Sequence, residues 1–253
     1  MMNKRSKMIL IALLGTLIAC LIGLIVTGVQ IGWGPFSWLF KGYDGEVTAI
    51  EERYSAADRQ HEIVFYGASN FRLWTEMEKD LNGYKVQNHG FGGSTDELLA
   101  EYADRLLYPY QPDIVFFQTG SNDYVNLSGT DEEKVQICME YKEQMFETFH
   151  EQLPNARFVV MSGLLLPGRS EYTQLTQMIN EKLQKLCEDK DYLYFVDASA
   201  MTFDGVQYAR ELFVFDGIHL NHEGQLLWCN DYIRPILEDL TADPLYAHLK
   251  TEE

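Results

Sequence analysis

The sequence predicts an α/β protein: a three-layer α/β/α sandwich around a mainly parallel sheet of about five strands, preceded by one transmembrane helix. Three observations carry this expectation. Beyond residue 62, short apolar runs alternate with longer amphipathic stretches, the pattern of βαβ units that cover a parallel sheet on both faces. Blocks rich in Gly, Ser and Asn follow the first three strand candidates, so three loops converge at one edge of the sheet. Ahead of all this runs an uncharged segment long enough to cross a membrane.

From Met8 to Val29, 22 residues carry no charge and only Thr16 and Thr27 interrupt the apolar character. About 20 helical residues span a hydrocarbon core. Lys4, Arg5 and Lys7 precede the run and predict a cytoplasmic amino terminus, with the rest of the chain outside; Trp33, Phe36, Trp38 and Phe40 follow it like an interfacial aromatic belt. A cleaved signal would have a shorter apolar stretch and a small-residue cleavage site. Leu17-Ile18-Ala19-Cys20 offers a lipobox that would make Cys20 a lipidated terminus, but Leu21 to Val26 stay apolar where a lipoprotein turns polar. The expected division is a cytoplasmic tip and anchor over 1–30 and a juxtamembrane connector over 31–60, with a short helical stretch from about Val47 to Ala57. A catalytic domain over 61–240 and a tail over 241–253 complete it.

Within the domain, strands are expected at Ile63–Tyr66, Lys85–Asn88, Ile114–Gln118, Phe158–Met161 and Leu193–Val196. Helices are expected near 71–81, 95–107, 131–152, 171–189 and 222–240.

Composition narrows the function. The net charge is -18, and residues 1–30 hold three of the 20 basic residues and none of the 38 acidic ones, which leaves -21 for the remainder. Such a surface repels phosphate backbones, so nucleic acid is not an expected partner. Outside the apolar run stand Cys138, Cys187 and Cys229, an odd count without metal-ligand spacing. They read as buried thiols, with one disulfide undecided.

Four blocks carry chemistry: Gly67-Ala68-Ser69-Asn70, Asn88-His89-Gly90-Phe91-Gly92-Gly93, Gly120-Ser121-Asn122-Asp123 and Asp216-Gly217-Ile218-His219. Ser69 follows a strand and precedes a helix expected from Phe71 to Leu81, a place where a hydroxyl is exposed and a helix amino terminus favours negative charge. A serine there is most often an ordinary cap. Asp216 and His219, three apart, can form a carboxylate–imidazole pair that frees one ring nitrogen as a base. Gly93 allows close backbone approach and Asn122 supplies an amide NH₂, the donor types an oxyanion requires. Singly these are turn formers; the ordered set is specific. A metal site of Asp216, His219 and His222 lacks a further ligand cluster, so no metal or cofactor is expected.

With these blocks in order from about Glu62 to Leu240, the chain resembles the SGNH hydrolases, the superfamily of the GDSL esterases. Phe71-Arg72-Leu73-Trp74 and Gly90-Phe91-Gly92-Gly93-Ser94-Thr95 are similar to its platelet-activating-factor acetylhydrolase-like branch. The resemblance implies Ser69 as nucleophile, His219 as general base and Asp216 as its orienting acid. The Ser69 N–H, Gly93 and Asn122 would form the oxyanion hole. One departure is Ala68, where the family's first block has aspartate. That acid is not the triad acid, so chemistry should survive with altered loop packing.

Two decoys remain. Gly163-Leu164-Leu165-Leu166-Pro167-Gly168-Arg169-Ser170 has phosphate-loop spacing, but Arg169 replaces lysine and Pro167 has no N–H; it reads as the loop after the fourth strand, a candidate lining of the substrate cleft. Gly90-Phe91-Gly92-Gly93 fails as a dinucleotide fingerprint because Thr95 takes the third glycine position. The functional expectation is an extracytoplasmic esterase with an acyl-serine intermediate, acting on short acyl esters such as O-acetyl groups on cell-envelope carbohydrate. Transfer of the acyl group to a sugar hydroxyl, or an anchored binding protein without turnover, are the alternatives. The oligomeric state is not legible.

Overall fold

The computed structural model describes Gly15, Thr16 and residues 38–251, with side chains over the latter stretch from Gly42 onward. Apart from Gly15 and Thr16, the expected anchor Met8–Val29 lies outside the described residues, as do Cys20, Trp33 and Phe36. Among the described residues no helix is long and apolar enough to cross a membrane. The chain divides into two units, Met1–Thr48 and Ala49–Glu253. In the first, the described residues are helical, ending in the start of α1 (Trp38–Arg53), which kinks at Gly42 with φ 60°. The helix expected over 47–57 therefore begins earlier and stops at Arg53.

The second unit is built on β1 (Ile63–Gly67), followed by two single-turn helices, α2 (Ser69–Arg72) and α3 (Met77–Asp80). Then come β2 (Val86–Asn88), α4 (Asp96–Leu106), β3 (Ile114–Gln118), α5 (Ser121–Tyr124), α6 (Asp131–Gln152) and β4 (Arg157–Met161). The chain closes with α7 (Thr173–Glu188), β5 (Leu193–Val196), α8 (Ser199–Thr202), α9 (His222–Trp228) and α10 (Arg234–Leu240). The five strands form one parallel sheet in the order β2-β1-β3-β4-β5, each within a residue or so of its expected bounds.

Side chains alternate across the sheet, so each strand feeds two cores. Ile63, Phe65, Ile114, Phe116, Val159 and Met161 pack in one cluster with Trp228, Ile233 and Leu237 of the carboxy-terminal helices. Their neighbours face α6: Phe117 meets Phe146 and Phe149 at ring-centroid distances of 5.2 and 5.5 Å, and Tyr66 meets Phe149 at 6.3 Å. Helices thus cover both faces, which makes the three layers. Cys138, Cys187 and Cys229 are buried free thiols.

Three differences from expectation have identifiable causes. The single helix expected over 71–81 is broken, because the buried Asn88 amide donates to Phe71 O (2.7 Å) and Trp74 O (3.3 Å) and so ends the first turn. The last helix carries a π turn at Cys229–Ile233, where Pro235 removes an N–H and the bonding register shifts before α10 resumes. The boundaries at 61 and 240 are too tight. Tyr54 is buried and accepts from Asn88 N at 3.2 Å. Tyr246 and Leu249 enter the core, and Leu249 O accepts from Lys85 N at 2.8 Å. The expected tail is an integral edge of this unit.

Candidate active site

A parallel sheet ordered 2-1-3-4-5 reverses direction between β1 and β3, and the crevice outside their carboxyl ends is where such sheets bind ligands. Ser69 follows β1 and Asn122 follows β3. At this place Gly67 pairs with Gln118, and a Cβ on Gly67 would stand 2.4 Å from Gln118 O, so only glycine fits. The chain turns at Ala68, and Ser69 is the first residue of α2 rather than a residue ahead of a later helix. Ala68 is buried and gives no side-chain cap.

The last turn brings the base to the serine. His219 Nε2 lies 2.9 Å from Ser69 Oγ, and its Nδ1 lies 2.7 Å from Asp216 Oδ2. Asp216 Oδ1 accepts from the backbone N–H groups of Ile218 (2.8 Å) and His219 (3.0 Å). Burial works against ionisation of Asp216, yet those two N–H groups and the imidazole outweigh it and hold the carboxyl below its ordinary range. A charged Asp216 keeps the proton on Nδ1 and leaves Nε2 to accept from the serine hydroxyl.

The remaining predicted residues are linked to the same strand ends. Gly93 sits at φ 74°, a conformation that favours glycine. Its neighbour Ser94 donates through Oγ to Gly67 O (3.1 Å), and Phe91 N donates to the same carbonyl (3.1 Å). Asn122 Nδ2 donates to Ser94 O at 3.1 Å, which joins the Asn122 loop to the Gly93 loop. Ser69, His219 and Asp216 are thus directly bonded, while Gly93 and Asn122 reach them through Ser94 and Gly67.

Several residues outside the expected set also shape the site. Asn70 Oδ1 accepts from Leu220 N at 3.1 Å and clamps the serine turn to the histidine turn. Arg169 donates through Nη1 to Ser121 Oγ and, at 3.4 Å, to Asn122 Oδ1, which fixes the orientation of that amide. Behind the Asn122 loop lies a buried ionic cluster. Lys142 Nζ donates to Asp96 Oδ2 (2.7 Å), Asp96 Oδ1 (3.0 Å) and Thr119 Oγ1 (2.6 Å). Asp123 accepts from Asp96 N (2.7 Å) and Gly120 N (3.3 Å).

Burial, followed by the charge of Asp96, raises Asp123 from its ordinary 3.8 to about 7. Burial alone would lower Lys142, but Asp96 and Asp123 keep its ammonium raised. Between these two values the folded protein holds a proton on Asp123 that the unfolded chain has lost. The associated stability is complete below about pH 4 and disappears as pH rises through 7. The melting temperature of the wild type minus that of Asp123→Asn should therefore fall from pH 5 to pH 8. A difference independent of pH would remove Asp123 as the titrating group.

Other candidates resolve differently. His89 is fully buried, donates from Nδ1 to Leu106 O at 2.6 Å, and is driven down to about 4 by burial; it is a neutral loop anchor. His222 stands 3.7 Å from Asp80 rather than beside Asp216 and His219. Four N–H groups of the phosphate-loop look-alike are already engaged: Gly163 with Asn180, Leu165 with Thr202, Gly168 with Gly217 O and Arg169 with Leu166 O. That segment is the loop after β4, and it delivers Arg169 to the site.

A hydrogen-bonded Ser–His–Asp array at the switch point of a parallel sheet defines a serine hydrolase architecture. The sequence profile of the GDSL-like lipase/acylhydrolase family matches residues 33–227. The chain belongs to this family and is an acylhydrolase-type enzyme. No curated protein matches it. Solved structures share the fold. A Streptococcus pneumoniae protein named for platelet activating factor superposes with a TM-score of 0.64 at 22% identity, covering 81% of this chain and 98% of its own. A GDSL-like lipase from Bacteroides thetaiotaomicron gives 0.59 at 18% identity, covering 79% and 99%. A lipase/acylhydrolase from Enterococcus faecalis gives 0.53 at 16%, covering 77% and 100%.

Proposed function

We propose that the chain is a membrane-anchored, extracytoplasmic serine esterase that removes a short acyl group, such as acetyl, from a carbohydrate or lipid. The bonded sequence Ser69–His219–Asp216 is the observation that carries this reading. His219 Nε2 takes the Ser69 proton as Oγ bonds to the carbonyl carbon. The resulting oxyanion rests on the Ser69 and Gly93 N–H groups and the Asn122 NH₂. Collapse breaks the ester C–O bond, and His219 returns the proton to the leaving alcohol. Water, activated by the same imidazole, then releases the acid from the acyl-serine.

The short-acyl preference rests on the sequence blocks around Phe71 and Gly90 and on their acetylhydrolase-like character. Hydrolysis of p-nitrophenyl acetate, butyrate and decanoate by the full chain in detergent tests it, with acetate expected to be the best substrate. A fluorophosphonate probe should add one adduct, on Ser69. Folded protein that hydrolyses no ester and takes no adduct would refute the esterase reading; turnover only with a sugar hydroxyl acceptor would convert it to a transferase.

Lys4, Arg5 and Lys7 followed by the uncharged run to Val29 support the anchor and its orientation. After alkaline carbonate extraction the protein should stay with the membrane pellet, and protease added outside intact cells should digest the catalytic unit. Release into the supernatant would refute the anchor.

A further inference from the structure

Arg169 joins two loops of the site. Its loop is fixed to the histidine turn, because Gly168 N donates to Gly217 O at 2.8 Å, and its guanidinium reaches across to Ser121 and Asn122 on the β3 side. The charge therefore bridges the two walls that flank Ser69. Among the described residues, several cations meet carboxylates: Arg53 with Glu78, Arg59 with Glu62, Lys79 with Glu76, Arg105 with Glu51, Lys142 with Asp96 and Lys190 with Glu147. Among the described residues no carboxylate lies within ion-pair range of Arg169. A guanidinium carries five N–H donors in a planar fork. Only Nη1 is engaged here, so Nε and Nη2 keep theirs without a protein acceptor among the described residues. The side chain is half-buried, so its charge is partly shielded from water and its reach is set by two hydrogen bonds.

A half-desolvated guanidinium with an unused edge recognises an oxyanionic group, carboxylate or phosphate, by charge-assisted hydrogen bonds. The chain's net charge of -18 would otherwise repel such a ligand, so a local cation is needed to admit one. We propose that Arg169 is a specificity-determining residue that selects esters bearing a negative charge close to the scissile bond. O-acylated acidic sugars and acyl esters of phosphate-bearing alcohols share that chemistry. The inference rests on the serine-esterase reading and deepens it, because it names the substrate class that the same site accepts.

The test compares an anionic and a neutral acetate ester of the same phenol skeleton, 4-acetoxybenzoate and its methyl ester, following release of acetate by the full chain in detergent at low salt. The wild type should favour the anion in kcat/KM by about 10-fold or more, chiefly through KM, and 0.5 M NaCl should shrink the ratio. In Arg169→Gln the ratio should fall to one or below, while Arg169→Lys should recover part of it. Acetylated glycerol phosphate against an acetylated uronic acid then separates phosphate from carboxylate as the preferred group. A purely structural Arg169, acting through the Asn122 amide, would lower turnover of both benzoate esters equally and leave their ratio unchanged; that result overturns the proposal while the esterase reading stands. Failure of the wild type to cleave either ester would overturn both.

Discussion

Replacing Ser69 by alanine should lower kcat for p-nitrophenyl acetate by on the order of 10⁴-fold or more. The argument is stoichiometric: without Oγ there is no atom to carry the acyl group and no proton for His219 Nε2, 2.9 Å away, to accept. The Asn122 amide and the Gly93 turn are unaffected, so residual catalysis by positioned donors should survive, with KM little changed. Ser69 is half-buried at a helix start and its side chain caps nothing, so the melting temperature should hardly move. His219→Gln should cost a similar factor, and the double variant little more than either alone, because the two groups act as a unit. Steady-state rates with intact-protein mass spectrometry of probe adducts decide it. Activity above about a tenth of wild type in Ser69→Ala would place the nucleophile elsewhere.

The second large effect concerns stability. Lys142 lies in the middle of α6, its side chain 4% exposed, facing an Asp96 side chain that is 2% exposed. Removing one member of a buried ion pair leaves the other charge unpaired, at a cost of about 3–5 kcal/mol. Lys142→Met should therefore lower the melting temperature by roughly 10 °C for a unit of this size. Asp96 and the adjacent Asp123 would then repel each other with no cation between them, so the loss should be greater at pH 8 than at pH 5. Adding Asp96→Leu should restore part of the stability, since two apolar groups need no partner. Thermal melts of the single and the double variant at both pH values measure this. A single variant as stable as wild type would show that the pair contributes nothing.

The parallel sheet was legible because most of its strands are short, largely apolar runs separated by amphipathic stretches, a signal that needs no tertiary information; β2, Val86-Gln87-Asn88, is the polar exception. Ser69, Asp216 and His219 were legible for a different reason: their blocks are local, and each places its reactive group at a strand end or a tight turn. What escaped the sequence depends on partners distant along the chain. Nothing near residues 73–76 announces a break; the cause is the Asn88 amide, 14 residues beyond Trp74. The sequence places Arg169 in the loop after the fourth strand, a candidate lining of the substrate cleft, but not its contacts, because its partners Ser121 and Asn122 are 48 and 47 residues away. Lys142 gave a signal that could have been used. It falls on the buried face of α6 with Val135, Cys138, Met145 and Phe149, and a lysine on an apolar stripe demands a buried acid. The identity of that acid, Asp96, only the fold supplies.

The hydrogen bond between Ser69 and His219 joins residues 150 positions apart, and Leu220 N reaches Asn70 across the same span. A chain growing from its amino end thus holds the Ser69, Gly93 and Asn122 loops in its sequence long before it holds His219. The Ser69–His219 contact forms only once the turn at Asp216–His219 is in place. An activity that depends on this contact would therefore report the joining of segments 150 residues apart rather than the first collapse.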